Sequence, residues 1–408
     1  MTSTDPDAAR SVRVVIGQAV VTLAVFATNA AMISVLLPSR TAELDPEGKV
    51  ADLAVALTIG AVVTALVQPV IGALSDRTHT RIGRRLPWMI VGATLGGLAV
   101  GLMGGASSIA VLALLWAIAQ PSVSAVQVAS DAFLVDAFPA ERRGRAAGMV
   151  GIAVVVGSGV GAVFAGASAG EGTVFWALAG ALVLAVTVFA VVVRDRAAPR
   201  PRPLLPIGPA VRAVSATVAA HPDYLKILAW RFGYSIAYGA VFAYLLYILT
   251  DLVGVGKDDA AQLIGLATVL GGAGALISVF LGGWLSDRLR RRRLFLLIGN
   301  GALIAGDLAL LVSHTVPAAL ITATLFGLGL GLSISCGRAL ASQVLPDQAD
   351  GAAAGLGVLN TAANVGQAVA PPIGALAIGL GGYPGALLTS IVGAIVCSVA
   401  VALVKTVR

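Results

Sequence analysis

The chain has 408 residues, 58% hydrophobic and 12% charged, with a formal net charge of +7. Soluble globular domains carry about 25% charged residues, so this composition excludes a fold solvated mainly by water. The arginines sit in short stretches between apolar runs, which points to membrane topology rather than nucleic-acid binding. Cys336 and Cys397 both lie in apolar runs, leaving no disulfide framework and no metal site with paired-ligand spacing.

Arg10 and Arg13 precede an apolar run too long for a signal peptide, which reads as a retained first helix with no soluble domain before it. A bilayer core about 30 Å thick needs roughly 20 apolar residues per helix. Twelve such runs follow in order, at 12–37, 51–74, 86–104, 109–135, 145–168, 173–193, 225–251, 259–285, 293–313, 317–343, 351–378 and 384–404. Under this reading 22 of the 27 Lys and Arg residues fall on the amino-terminal side, with Arg40, Lys49 and Lys257 opposite and Arg231 and Arg338 inside spans. The positive-inside rule then puts both termini in the cytoplasm and the protein in the cytoplasmic membrane.

The first span carries a sparse polar stripe, Gln18, Thr22 and Asn29. The second closes on Gly72-Ala73-Leu74-Ser75-Asp76-Arg77 and opens an arginine-rich loop. On the fourth span Gln120, Ser124, Gln127 and Asp131 follow at spacings of four, three and four, which places all of them on one helix face. The fifth contains Gly157-Ser158-Gly159-Val160-Gly161, and its glycines, like those of Gly271-Gly272-Ala273-Gly274 and Gly355-Leu356-Gly357, read as close helix packing. No Lys-Ser or Lys-Thr follows them, so they are not phosphate loops. Between the sixth and seventh spans, Arg194-Asp195-Arg196 and Pro199-Arg200-Pro201-Arg202-Pro203 form a semi-rigid linker held at the anionic leaflet.

The seventh span shares one face among Arg231, Tyr234 and Tyr238, and the eleventh among Asn360, Asn364 and Gln367. Lipid-exposed polar stripes are costly and a water-filled cavity tolerates them, so these two faces, the fourth-span stripe and the first-span stripe of Gln18, Thr22 and Asn29 are the predicted substrate cavity. An ionisable residue within a span costs at least about 2.5–3.5 kcal/mol and is a functional candidate by default. Asp131 and the repeat-equivalent Arg338 are therefore coupling candidates, with three readings open: a structural ion pair, proton coupling, or direct substrate contact. Asp307, in the ninth span, receives no role. Asp52 and Asp251 lie near helix ends where water reaches them, and His79, His221 and His314 are scattered without metal-ligand spacing.

The chain repeats itself. Gly283-Trp284-Leu285-Ser286-Asp287-Arg288 copies the Gly72–Arg77 stretch at an offset of 211, and the segment from Asp131 to Gly148 aligns on Arg338 to Gly355 at 207. An even number of spans in each half makes them parallel repeats about an axis along the membrane normal. The predicted architecture is all-α and integral to the membrane: residues 1–193 and 225–408 form six-helix bundles, joined by the linker 194–224.

With both loop copies in view, the chain resembles the major facilitator superfamily over its whole length. Gln68-Pro69 through Gly72 and Arg77 to Pro87-Trp88 looks like the longer loop of the glycoside-pentoside-hexuronide and sucrose carriers. The resemblance implies that Asp76 faces the start of span eleven and Asp287 that of span five, holding the state closed to the cytoplasm. Arg77, Arg84, Asp136, Arg143 and Arg288 complete the implied gate. The alternative is that these charges only fix topology and anchor head groups, as Arg290 to Arg293 do. Melibiose-type members carry a cation-binding Asp where this chain has Gln68, with Thr64 one turn earlier, which disfavours a sodium site. The fifth span lacks the proline of drug-antiporter motifs, which disfavours a drug exporter.

The functional expectation is a monomeric secondary transporter of a small solute, driven by protons, with no cofactor, metal or nucleic-acid partner. A sugar or glycoside symporter and an exporter of a drug-like or secondary metabolite are the transport alternatives, and a membrane sensor or scaffold is the other class. A membrane-embedded enzyme needs a base or metal cluster that the sequence lacks.

Overall fold

The computed structural model describes residues 6–404 apart from 79, 139, 169–170, 194–221 and 345–348, and leaves aside the side chains of 6–11, 135, 140–147, 338, 342–343 and 349–357. Among the described residues the chain is helical, with one isolated bridge between Thr80 and Gly83 and no strand. The helices are α1 (Val12–Leu44), α2 (Lys49–Arg77), α3 (Leu86–Met103), α4 (Ile109–Ala137), α5 (Ala140–Ala167) and α6 (Thr173–Val192). Of the predicted linker 194–224, residues 194–221 lie outside the described residues; beyond them come α7 (Pro222–Phe242, bent by 44° into Leu245–Leu252), α8 (Lys257–Leu289), α9 (Arg292–Ser313) and α10 (Val316–Val344). A last helical stretch, Ala349–Ala402, is broken at Gly381 and Gly382 into α11 (349–380) and α12 (383–402).

Among the described residues ten helices are long and apolar enough to cross a membrane as they stand, and the bent α7 makes eleven. Val358–Ala402, at 45 residues, counts among the ten as one. At 1.5 Å per residue it would run for about 67 Å, twice a bilayer core, so its break separates two spans and the total is twelve. Gly382 makes the break with φ +64° and ψ −167°, a conformation open essentially to glycine alone.

Irregular turns adjust several spans. Between Met32 and Leu36 the helix widens, and the Leu37 amide reaches back to the Met32 carbonyl. Pro38 follows, and it has no amide hydrogen to continue the ordinary pattern. The chain therefore stays helical to Leu44, seven residues past the predicted end of the first span.

The chain divides into two compact units, Met1–Leu204 and Leu205–Arg408. In the first unit α1 packs on α4, α5 and α6, α2 on α4, and α3 on α4 and α6. In the second, α7 packs on the α11–α12 stretch, α8 on α10, and α9 on α10 and that stretch. The core of the first unit gathers Val21, Val25, Met89, Val126, Leu182 and Phe189, with Phe133 meeting Phe189 edge to face at 5.3 Å.

Glycine lets helices approach backbone to backbone. A Cβ on Gly161 of α5 would run into the carbonyl of Ala27 on α1, and one on Gly157 would meet the Leu23 carbonyl at 2.5 Å. The same crossing recurs in the second unit, where a Cβ on Gly366 of α11 would lie 2.6 Å from the Phe232 carbonyl of α7. The outer surface is apolar, with Leu66, Val191, Val312 and Leu380 among many exposed aliphatic side chains. In water such a surface would be an aggregation site, and in lipid it is the solvated face.

Candidate functional site

The arginine-rich loop after α2 folds back on itself. Gly83 adopts φ +106°, its amide donates to the Thr80 carbonyl at 3.1 Å, and the Thr80 hydroxyl donates to the Gly83 carbonyl at 2.7 Å. This turn delivers two consecutive arginines, Arg84 and Arg85, to buried positions at 8% and 6% exposure. Arg84 pairs with Asp136 at the end of α4 at 2.5 Å. Arg85 reaches Asp76 at 2.6 Å and Asp136 at 3.2 Å, and donates to the Ser75 hydroxyl at 3.0 Å. Trp88 Nε1 adds a 2.8 Å bond to the Thr78 hydroxyl. Two guanidiniums thus tie the ends of α2 and α4 through charge-assisted bonds, the stronger kind of hydrogen bond.

The second unit carries a smaller version. Asp287 pairs with Arg292 at 2.8 Å, Arg292 also donates to the Ala339 carbonyl at 3.0 Å, and Arg288 lies 5.5 Å from the Trp284 ring. The repeat offset puts Gln343 where the first unit has Asp136, so the carboxylate that could bridge two arginines is missing from the sequence there. Arg77 is exposed, and the side chain of Arg143 lies outside the described residues.

Within the membrane the polar stripes divide into buried and exposed parts. Gln18 and Thr22 are fully buried inside the first unit, where Gln18 Nε2 donates to the Ser130 carbonyl of α4 at 2.8 Å. The Gln18 bond ties α1 to α4, a contact that spacing alone does not reveal. Asn29, Gln120, Ser124 and Gln127 are half-buried, and Asp131 is exposed. Gln127 Nε2 donates to Asp131 Oδ1 at 2.9 Å, while Gln127 Oε1, Gln120 Oε1 and Trp116 Nε1 retain unused hydrogen-bonding capacity.

In the second unit Asn360, Asn364 and Gln367 are all exposed along α11. Amides in such a row are poorly accommodated by lipid. On α7, Arg231 donates to the Ser333 hydroxyl of α10 at 3.1 Å. Tyr234 is buried, and Tyr238 stacks on Phe242 at 5.3 Å and approaches Phe326 at 5.8 Å. The side chain of Arg338 and the residues His79 and His221 lie outside the described residues; His314 caps α9 in a left-handed conformation.

Two six-helix units of like packing order, apolar outside and with polar faces at membrane depth, make a multi-pass helical membrane protein of the transporter class. Residues 19–256 and 231–408 match the family model of the Major Facilitator Superfamily, and the chain belongs to that superfamily; it is a transporter, not an enzyme. It is 31% identical over 360 residues to a chloramphenicol resistance protein of Streptomyces lividans, covering 86% of both chains. It is 58% identical to an uncharacterized symporter of Synechocystis sp. over 36 residues, 9% of this chain and 7% of that protein. Two crystal structures of a bacterial homolog of the human lysosomal transporter Spinster, inward-facing and either unoccupied or occupied, superpose with TM-scores of 0.70. They cover 98% and 95% of this chain and 95% of their own, and at 16% and 15% identity the likeness is one of fold.

Proposed function

We propose that this chain is a proton-coupled secondary transporter that moves a small organic solute across the cytoplasmic membrane by alternating access, with both termini in the cytoplasm and the monomer as the working unit. The observation that carries the reading is Asp131, an exposed carboxyl on a membrane helix with the amide of Gln127 as its described side-chain partner. A carboxylate at that depth is costly as an anion, and taking up a proton removes the charge. Gln68 and Thr64, where related carriers hold a cation, favour the proton over sodium.

The amides of α4 and α11 and the tyrosines of α7 supply hydrogen bonds and ring faces for an uncharged or weakly charged cargo. The ion pairs of Asp76, Arg85, Asp136 and Arg84, with Asp287 and Arg292, act as the cytoplasmic gate. Two cargo readings each have support. The likeness to the chloramphenicol resistance protein, over 86% of both chains, supports export of a drug-like or secondary metabolite. The Gln68–Trp88 loop and the short likeness to a symporter support uptake of a sugar or glycoside.

The test is a solute panel in proteoliposomes with an imposed pH gradient, comparing labelled sugars and glycosides with chloramphenicol and related antibiotics. Accumulation driven by a proton gradient in the same direction as solute identifies symport, and accumulation against it identifies exchange for protons. Ligand binding with no flux of any solute under either gradient would overturn transport in favour of a sensor.

A further inference from the structure

Asp307 takes no part in the site above, yet it is the most deeply placed carboxyl among the described residues, with no exposed surface at all. It sits on α9, where it faces a polar seam in otherwise apolar packing. One end of the seam is Asn300, 1% exposed and two turns from Asp307, which donates to the Ser398 hydroxyl of α12 at 3.1 Å. Ser390, fully buried and two turns from Ser398, sits beside the Asp307 carboxyl. The pairs run in opposite chain directions, as an antiparallel α9–α12 contact requires. On the other side α10 closes against α9, with the Thr322 hydroxyl 2.7 Å from the Gly306 carbonyl.

Neither Asp307 oxygen, nor the Ser390 hydroxyl, completes a hydrogen bond of good geometry, and Asp307 forms no ion pair among the described residues. The ionisable groups on the packed elements lie elsewhere. On α9 they are Arg292 and Arg293 at the far end, with His314 just past the near one; on α8, Asp287 and Arg288 stand at the arginine-rich end and Lys257, Asp258 and Asp259 are exposed at the opposite end. Between Val316 and Ser335, α10 has no ionisable residue. On α12 Tyr383 bonds to Asp251, and Cys397 turns to the Trp230 carbonyl of α7 at 3.4 Å. No cation among the described residues therefore neutralises the carboxylate, and a buried carboxylate without one takes up a proton instead.

We propose that Asp307 is a proton-binding site of the second unit, and that its proton is what allows the α9–α12 seam to close. One proton binds one carboxylate oxygen, and the resulting O–H donates to Ser390 Oγ. Loss of that proton leaves an anion that water must solvate, so the seam opens. Asp307 lies six residues before Ser313, about 9 Å along the helix axis, which makes the end opposite the Arg290–Arg293 run the nearer source of protons. The site stands apart from cargo and from Asp131, and it holds or fails whether or not transport is proton-driven.

Infrared difference spectroscopy on the purified full chain in lipid nanodiscs, titrated by pH, tests this. The expected result is a protonated-carboxyl carbonyl band at neutral pH that D307N removes, while the same variant lessens the loss of thermal stability on going from acid to alkaline buffer. If D307N does not fold, S390A decides, because removing the hydrogen-bond acceptor must shift the band. A spectrum with no protonated carboxyl at neutral pH, a band unchanged in D307N, or one unmoved by S390A overturns the proposal.

Discussion

The guanidinium of Arg85 lies 2.6 Å from Asp76 Oδ1, with side-chain exposures of 7% and 38%. The same arginine touches Asp136, so one buried cation serves carboxylates from two helices. Replacing Arg85 with Gln leaves Asp76 without its described cation and Asp136 with Arg84 as its remaining described one. The expected loss is about 1–3 kcal/mol, read as a lower thermal midpoint, with transport reduced as well. Arg85→Lys should recover little, because an ammonium cannot hold both carboxylates in the fork geometry of a guanidinium. Full activity and stability in R85Q would show that the cluster is an anchor.

On the proposed coupling role, Asp131→Asn removes the proton-binding carboxyl and keeps the shape. Uphill transport in proteoliposomes should be lost while solute exchange survives, and the pH dependence of flux should flatten. A variant that keeps its proton dependence and merely unfolds at lower temperature would assign Asp131 a structural role.

Gly161→Ala places a methyl group against the Ala27 backbone, where no flexible side chain can yield. Overpacking of this kind costs about 1–3 kcal/mol. A Cβ on Gly151, in the same helix, would meet nothing within 4 Å, so Gly151→Ala should be neutral by differential scanning fluorimetry.

Gly382→Ala forces a side chain into the conformation that separates α11 from α12, at a cost of about 1–3 kcal/mol. Gly379→Ala, inside helical backbone with open space around it, is the control and should hold or raise the midpoint.

The spans were legible because bilayer thickness imposes their length: the sequence places the last loop at 379–383, and the break falls at Gly381 and Gly382. The widened turns were not, since nothing in hydropathy marks them, and they carried α1 to Leu44. In the site, periodicity put Gln18, Thr22 and Asn29 on a stripe but could not tell a stripe that faces water from one that meets another helix. Gln18 bonds the α4 backbone, and its burial follows from a neighbour far away in sequence. Arg85 was missed for a different reason. Two adjacent arginines are chemically identical in the sequence, and only the folded loop shows Arg85 spanning Asp76 and Asp136.

At the crossings of α1 with α5 and of α7 with α11, glycines bring main chain up against main chain. Neither helix of such a pair can roll about its own axis without collision, so each pair moves as a stiff strut. Changes in bilayer thickness or tension therefore act on the inclination of the struts and leave the residues each one presents unaltered.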